Sequence, residues 1–257
     1  MLLPIEDMVV WFSQVFWTFL RIGGFLMVVP VFGNQLVPRR IRAALAFVSS
    51  VAVAPMMPDN LPVLSGFDLG IMLHGALQLF AGISLGFASV MFFQLFVIAG
   101  QFVGMQMGLG FAAMVDPGNG VQVTVWSQFF LMLVTMLFIS MNGHLVLLEV
   151  LIHGFSQHEF GFGMSFQALA GEIVRFGGWM FVGGALVALP AVISLLVVNL
   201  AFGVMSRAAP QLNVFSLGFP FSLMFGLIVV WLLLSGWLPQ FERLAEELFH
   251  ITSTWVG

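Results

Sequence analysis

Between Leu69 and Val115 the chain contains no Asp, Glu, Lys or Arg. As one helix that run would extend about 70 Å at 1.5 Å per residue, while the hydrocarbon core of a bilayer is roughly 30 Å thick. A run so apolar cannot lie bare in water, and one so long cannot stay in lipid as an upright span. It must fold back or leave the membrane. Its end, "MQMGLGFAAMVDPG" from Met105 to Gly118, is crowded with Gly and Met and closes on Asp116-Pro117. Flexible residues of this kind make a poor rigid span, so the segment reads either as a frayed helix end or as a loop with a task of its own.

Composition narrows the fold class. Hydrophobic residues make up 61% of the 257 positions and charged residues 7%, against about 25% charged in an average soluble domain. The expectation is an all-α membrane protein. Every basic residue is Arg, the net charge is −4, and no basic cluster exceeds Arg39, Arg40 and Arg42, which leaves nucleic acid without an electrostatic footprint. With no cysteine, disulfides and thiolate metal sites are excluded. The histidines show no metal-ligand spacing. Glu6 and Asp7 stand where a secretory signal would be basic, so the N-terminus is expected to be that of the mature protein, with its first helix retained.

Apolar runs able to cross a bilayer need about 20 residues. The first covers Met8 to Phe32 and is interrupted by Arg21. A polar loop, "GNQLVPRRIR", leads to a shorter run from Ala43 to Met57, and Pro55, Pro58, Asp59, Asn60 and Pro62 then break the chain. Beyond the 69–115 run, a further helical stretch is expected over Val121 to Ile152. Phe176 to Phe241 carries one charge, Arg207, in "SRAAPQLN", a turn-like sequence that divides it into two arms. Each arm is longer than a span needs, so the arms tilt steeply or project beyond the lipid into a protein environment. The tail from Phe241 puts Phe241, Leu244, Leu248 and Ile251 on one helical face and Glu242, Arg243, Glu246 and Glu247 on the other. The basic triplet Arg39, Arg40 and Arg42 assigns the first loop to the cytoplasmic side.

Several constellations carry competing readings. Gly100, Gly104, Gly108 and Ala112 recur every fourth residue, and Gly82 and Gly86 repeat the spacing; such stripes let helix backbones approach closely, within the chain or against another subunit. Gly82-Ile-Ser-Leu-Gly86 matches G-x-S-x-G and Gly108 to Ala113 matches G-x-G-x-x-A. Neither has the strand-turn-helix or βαβ context those motifs need. Ser140, His144 and Glu149 form an imaginable hydrolase set, but Asn142-Gly143-His144 reads more simply as a polar helix break. Arg21, at membrane depth, is expected to snorkel or to pair with a carboxylate of this chain or of a neighbour.

Read together, "PVFGNQLVPRRIRAALA", "GQFVGMQMGLGFAAMVDPG", "MNGH" and "ALPAVISLLVVNLAFGVMSRAAPQLNVFSLGFP" resemble the FliR family of flagellar export-gate proteins, which has counterparts in virulence-associated type III secretion. The resemblance runs in order over residues 10–240 and departs from the family pattern at Gln101, where many relatives carry an acidic residue. It implies long helical hairpins: a FliP-like part over 1–160, including a gate loop near 105–118, fused to a FliQ-like hairpin over 161–257 with an amphipathic C-terminal helix. It implies partnership with FliP and FliQ in a ring, with FlhB at its cytoplasmic mouth, with FlhA and the basal-body ring, and with unfolded flagellar export substrates. It also implies a location in the bacterial inner membrane and flagellar basal body, largely above the membrane plane once assembled.

In that setting Met105, Met107, Gly108, Gly110, Phe111, Met114, Val115, Asp116 and Pro117 are expected to form a lumenal plug. Phe111 and Met114 would fill the pore, with Asp116-Pro117 anchoring the end. Gly100, Gly104, Arg207, Gln211 and Asn213 are expected to pack against other subunits. The expected role is structural and gating, with no catalytic residues and no cofactor. A small-solute secondary transporter is the alternative; a solitary monomer that binds a metabolite would favour it.

Overall fold

The computed structural model describes residues 5–33, 37–57, 61–64, 68–109, 124–157, 166–208 and 214–256. Among them the regular structure is helical throughout, with no strand. The helices are α1 (Ile5–Val28), α2 (Arg39–Val53), α3 (Leu69–Gln106), α4 (Val125–Ser140), α5 (Gly143–Gln157), α6 (Phe166–Ala208), α7 (Val214–Leu234) and α8 (Trp237–Val256), with single helical turns at Pro30–Gly33 and Ala54–Met56. The protein is an all-α membrane protein. Among the described residues three helices are long and apolar enough to cross a bilayer, or up to five spans if each bent pair counts as one.

The uncharged run does not fold back before Gln106. It forms one 38-residue helix, α3, about 57 Å long. To fit inside a 30 Å core it would have to tilt by almost 60°, beyond the usual range of 0–40°. The helical run expected over Val121 to Ile152 is divided at the polar break expected at Asn142-Gly143-His144, where α4 and α5 meet at 64°. Asn142 causes the break: it adopts φ 56°, a left-handed conformation that asparagine tolerates better than most residues. Its amide closes α4 on the Ile139 carbonyl (3.0 Å), and its own carbonyl accepts the Leu145 amide (2.8 Å) to start α5.

The two long arms around Arg207 are also redistributed. The first arm reaches back to Phe166, making α6 43 residues long, or about 65 Å. Glu172 and Arg175 fall inside it and pair with each other at 2.7 Å on the helix surface. The second arm stops at Leu234, because Ser235 and Gly236 form a turn. There the chain bends by 64° into α8. On α8, Phe241, Ala245, Leu248, Thr252 and Trp255 are buried, whereas Glu246 and Glu247 are exposed, so the expected amphipathic face is present with its centre at Ala245 and Leu248.

The chain comprises two compact units. One contains Met1–Met91, Ile139–Phe176 and Ala245–Gly257; the other contains Phe92–Phe138 and Gly177–Leu244. In the first, Trp17, Met57, Leu61 and Phe155 form a core, with Phe16, Leu20, Val53 and Ile152 packed around it. Helices α1 and α3 approach until their backbones nearly touch. A Cβ added to Gly24 would lie 2.7 Å from the Leu79 carbonyl oxygen, and one added to Gly86 would lie 3.1 Å from that of Phe25. The Gly82/Gly86 repeat is therefore a packing surface within the chain. In the second unit Phe92, Phe93 and Phe96 of α3 meet Phe138, Phe241 and Trp237. Phe93 and Phe138 lie 5.2 Å apart and Phe130 and Trp237 4.3 Å apart, both edge to face, an arrangement the aromatic quadrupole favours.

Candidate gate region and buried polar contacts

Within the second unit, α3 ends at a specific motif. Gly108 has φ 85°, its amide donates to the Met105 carbonyl, and the Leu109 amide reaches back to the Gly104 carbonyl, both at 3.0 Å. These paired bonds with a left-handed glycine are the Schellman stop, which satisfies carbonyls that a helix end otherwise leaves open. Gly108 serves as the helix terminator because its missing Cβ permits that φ.

The residues around this stop differ sharply in exposure. Met105 is 56% exposed, whereas Met107 is fully buried. Gly226 of α7 makes room for it: a Cβ there would lie 2.7 Å from Met107 Cγ and 3.1 Å from its sulfur. Asn199 of α6 donates from Nδ2 to the Gln106 carbonyl (3.2 Å), and the Ser222 hydroxyl of α7 donates to Asn199 Oδ1 (2.9 Å). A cavity of ≈ 640 Å³ opens beside these groups, lined by Met105, Met107, Asn199, Phe202, Phe219 and Ser222.

The glycine stripe on α3 meets the start of α4. An added Cβ at Gly100 would lie 2.5 Å from Ser127 Cα, and one at Gly104 would lie 2.8 Å from Thr124 Oγ1. The Ser127 hydroxyl donates to the Val97 carbonyl (2.8 Å) and to Gln101 Oε1 (3.3 Å), and Thr124 donates to the Gly100 carbonyl (3.2 Å). The close approach at Gly100 and Gly104 is thus made within the chain, and Gln101 acts as a neutral acceptor. Of the other expected site residues, Arg207 is exposed in the last turn of α6, where a cation is favoured by the helix dipole. Gly110, Phe111, Met114, Val115, Asp116, Pro117, Gln211 and Asn213 lie outside the described residues.

In the first unit Arg21 corrects the expectation that it snorkels: it is 1% exposed, and it meets no carboxylate of the described residues. Its Nε donates to Gln78 Oε1 (2.7 Å), its Nη1 donates to the Leu151 carbonyl (3.3 Å), and its guanidinium lies 3.4 Å over the Phe155 ring. Gln78 in turn meets His74 (3.1 Å), which packs edge to face on Trp17. Neutral acceptors and an aromatic face stand in for a counter-ion, and the side chain ties α1 to α3 and α5. His144, once imaginable in a hydrolase set, packs edge to face against Phe32.

Asn199, Ser222 and Gly226 were not singled out from the sequence. Asn199 carried a legible signal, being a polar side chain inside the apolar stretch "SLLVVNLAF", where such a residue has to find a partner. Gly226 carried none, since one glycine in an apolar helix looks like any other until its neighbour is known.

Overlong apolar helices, breaks capped by asparagine and glycine, and polar side chains bonded between helices inside the protein define a multi-helix integral membrane protein. The chain belongs to the FliR family of bacterial export proteins: the family described as "Bacterial export proteins, family 1" matches residues 12–248. It is 34% identical to the flagellar biosynthetic protein FliR of Escherichia coli K12 over 248 residues, covering 96% of this chain and 94% of that one. The same identity holds for the protein of that name from Pectobacterium carotovorum over 246 residues, covering 95% and 93%. The Bacillus subtilis FliR is 31% identical over 217 residues, 82% of each chain.

Proposed function

We propose that the chain is a core structural and gating subunit of the flagellar type III export gate, forming with FliP and FliQ the channel for unfolded flagellar proteins. The observation that carries this reading is the end of α3. An apolar helix too long for lipid stops in a glycine-capped turn at Gly108, directly before the 110–117 segment. Gly110, Phe111, Met114 and Val115 then supply an adaptable apolar filling, and Asp116-Pro117 secures its far end. A hydrophobic constriction excludes water and with it ions, yet flexible Met and Gly let it yield to an extended chain. Met105 faces the passage, while Met107 and Gly108 form the fixed root.

A multi-subunit assembly is supported by α6. Val174, Phe181, Leu186, Ile193, Leu200 and Met205 are exposed along it, apolar side chains spread around the helix over about 45 Å against 30 Å of hydrocarbon. Gly171, Gly177, Gly178 and Gly203 have nothing within 4 Å of an added Cβ, leaving space for another helix to come close. On this reading residues 1–160 follow FliP and 161–257 follow FliQ. Arg207 with Gln211 and Asn213 meets neighbouring subunits, and Gly100 and Gly104 serve the packing by holding α4 against α3. FlhB, FlhA and the basal-body ring are the further partners. Much of the helical length stands above the inner membrane inside the basal body, and the role is structural rather than catalytic.

The test is deletion of residues 110–115 in the complex assembled with FliP and FliQ. Resting ion conductance in planar bilayers should rise, and an unchanged conductance would refute the plug.

A further inference from the structure

Three arginines open α2, and they do different work. Arg42 is committed to the backbone before it: its Nε and Nη2 donate to the Val37 carbonyl (3.2 and 3.1 Å), and its Nη1 reaches the Met27 carbonyl (3.5 Å). Arg39 and Arg40 are exposed, and among the described residues neither meets a carboxylate within ion-pair distance. The helix itself does not account for them. Cations in a first turn oppose the helix dipole, and the first turn of α2 has no acidic residue to offset them.

The rest of α2 is bare on one side. Ala46 and Ser50 are buried on the side that meets α1, where a Cβ added to Gly23 would lie 4.0 Å from Ala46 Cβ. With 3.6 residues per turn, Ile41, Ala44, Leu45, Val48 and Ala52 fall on the opposite side. All five are exposed, Ile41 by 57% and Val48 by 65%. Apolar surface of this kind is unfavourable in water. Yet α2 has only 15 residues, about 22 Å, so it is too short to cross roughly 30 Å of hydrocarbon by itself. A short helix with an apolar side and arginines at one end is built to lie at a membrane interface. The same arginines assign this end to the cytoplasmic side, where the leaflet surface carries anionic lipid.

We propose that α2 is a membrane-surface helix that binds anionic phospholipid. Arg39 and Arg40 take the headgroup phosphates, and the side formed by Ile41, Leu45, Val48 and Ala52 rests on the acyl chains. Charge complementarity selects lipid over another helix: an apolar helix would cover the bare side but leave both arginines without an anion, whereas a phospholipid brings anion and hydrocarbon together. Guanidinium suits the first part, since its planar fork can give a phosphate two parallel hydrogen bonds. Arg42, through Val37 and Met27, ties this anchor to the end of α1.

The test uses the full chain in nanodiscs, alone and assembled with FliP and FliQ. Because the chain has no cysteine, Val48→Cys places a single nitroxide on the bare side, and Ala52→Cys is a second position should the first disturb folding. Oxygen dissolved in the acyl phase should relax the label, and a water-soluble nickel chelate should not. A label reached by nickel would put this side in water, and one reached by neither would put it under protein; either result overturns the proposal. The lipid is read by native mass spectrometry with equal amounts of phosphatidylglycerol and phosphatidylcholine. Arg39→Gln and Arg40→Gln should each lower the ratio of bound phosphatidylglycerol to phosphatidylcholine about five-fold, and the double variant about thirty-fold. Arg39→Lys with Arg40→Lys should keep most of the preference, because the charge stays. An unchanged ratio in the glutamine double variant, or an equal loss in the lysine one, refutes headgroup binding by these arginines.

Discussion

Replacing a helical glycine by alanine tests the packing of α1 on α3 with a single methyl group. In an exposed helix the change stabilises by about 1 kcal/mol, because glycine has more backbone freedom to lose. Gly178 of α6 is such a site, with nothing within 4 Å of the new Cβ. Gly82 of α3 is the opposite case: its Cβ would press on the Arg21 carbonyl oxygen and lie 2.8 Å from the Phe25 nitrogen and 2.9 Å from the Arg21 carbonyl carbon. All three are main-chain atoms and cannot rotate aside. Since ordinary contacts between carbons lie at roughly 3.5–4.0 Å, α1 and α3 must part by about 1 Å along an interface that buries Ile22, Phe25, Ala81 and Leu85. Overpacking of this kind costs about 1–3 kcal/mol. Gly82→Ala and Gly178→Ala should therefore move in opposite directions and differ by about 2–4 kcal/mol. The assay is unfolding of the purified chain in mixed micelles of increasing SDS fraction, followed by tryptophan fluorescence. Equal stability of the two variants would mean that α1 and α3 do not approach as described.

Arg21→Ala removes the donors to Gln78 and Leu151 and the contact with Phe155, and should destabilise by about 2–4 kcal/mol in the same assay; a neutral result would place the guanidinium in solvent. Arg21→Lys should recover only part of this, since an ammonium cannot both lie flat on Phe155 and serve two separated acceptors. Gly108→Ala forces a side chain to φ 85° and should cost about 1–2 kcal/mol, with Gly108→Asn the milder change. Equal loss in the two would show that left-handed backbone is not what glycine supplies there.

The legibility of the fold varied with the range of the physics involved. Positions where the chain must stop or turn were visible because the cause is local: Pro55 just after α2 and Asn142-Gly143 between α4 and α5 each act within their own few residues. The amphipathic tail was visible because a 3.6-residue period can be counted. The merging of Glu172 and Arg175 into α6 was hidden, since two charges in a long apolar run read as its end until they are seen to pair on the helix surface. The fate of Arg21 was hidden too. Its partners Gln78 and Leu151 are far away in sequence, and only packing decides whether a guanidinium meets water, a carboxylate or a ring.

By itself the sequence determined that this chain is helical, apolar and too long in its central run for an upright span, because hydropathy, periodicity and rise per residue are local quantities. It also held the ordered segments by which the family is recognised. Tertiary structure alone decided which glycine faces which backbone. Gly82 and Gly86 admit α1, Gly100 and Gly104 admit the start of α4, and Gly226 admits Met107. A hydrogen atom in place of a side chain carries no record of its neighbour, so the partner of a close approach exists only once the helices are packed.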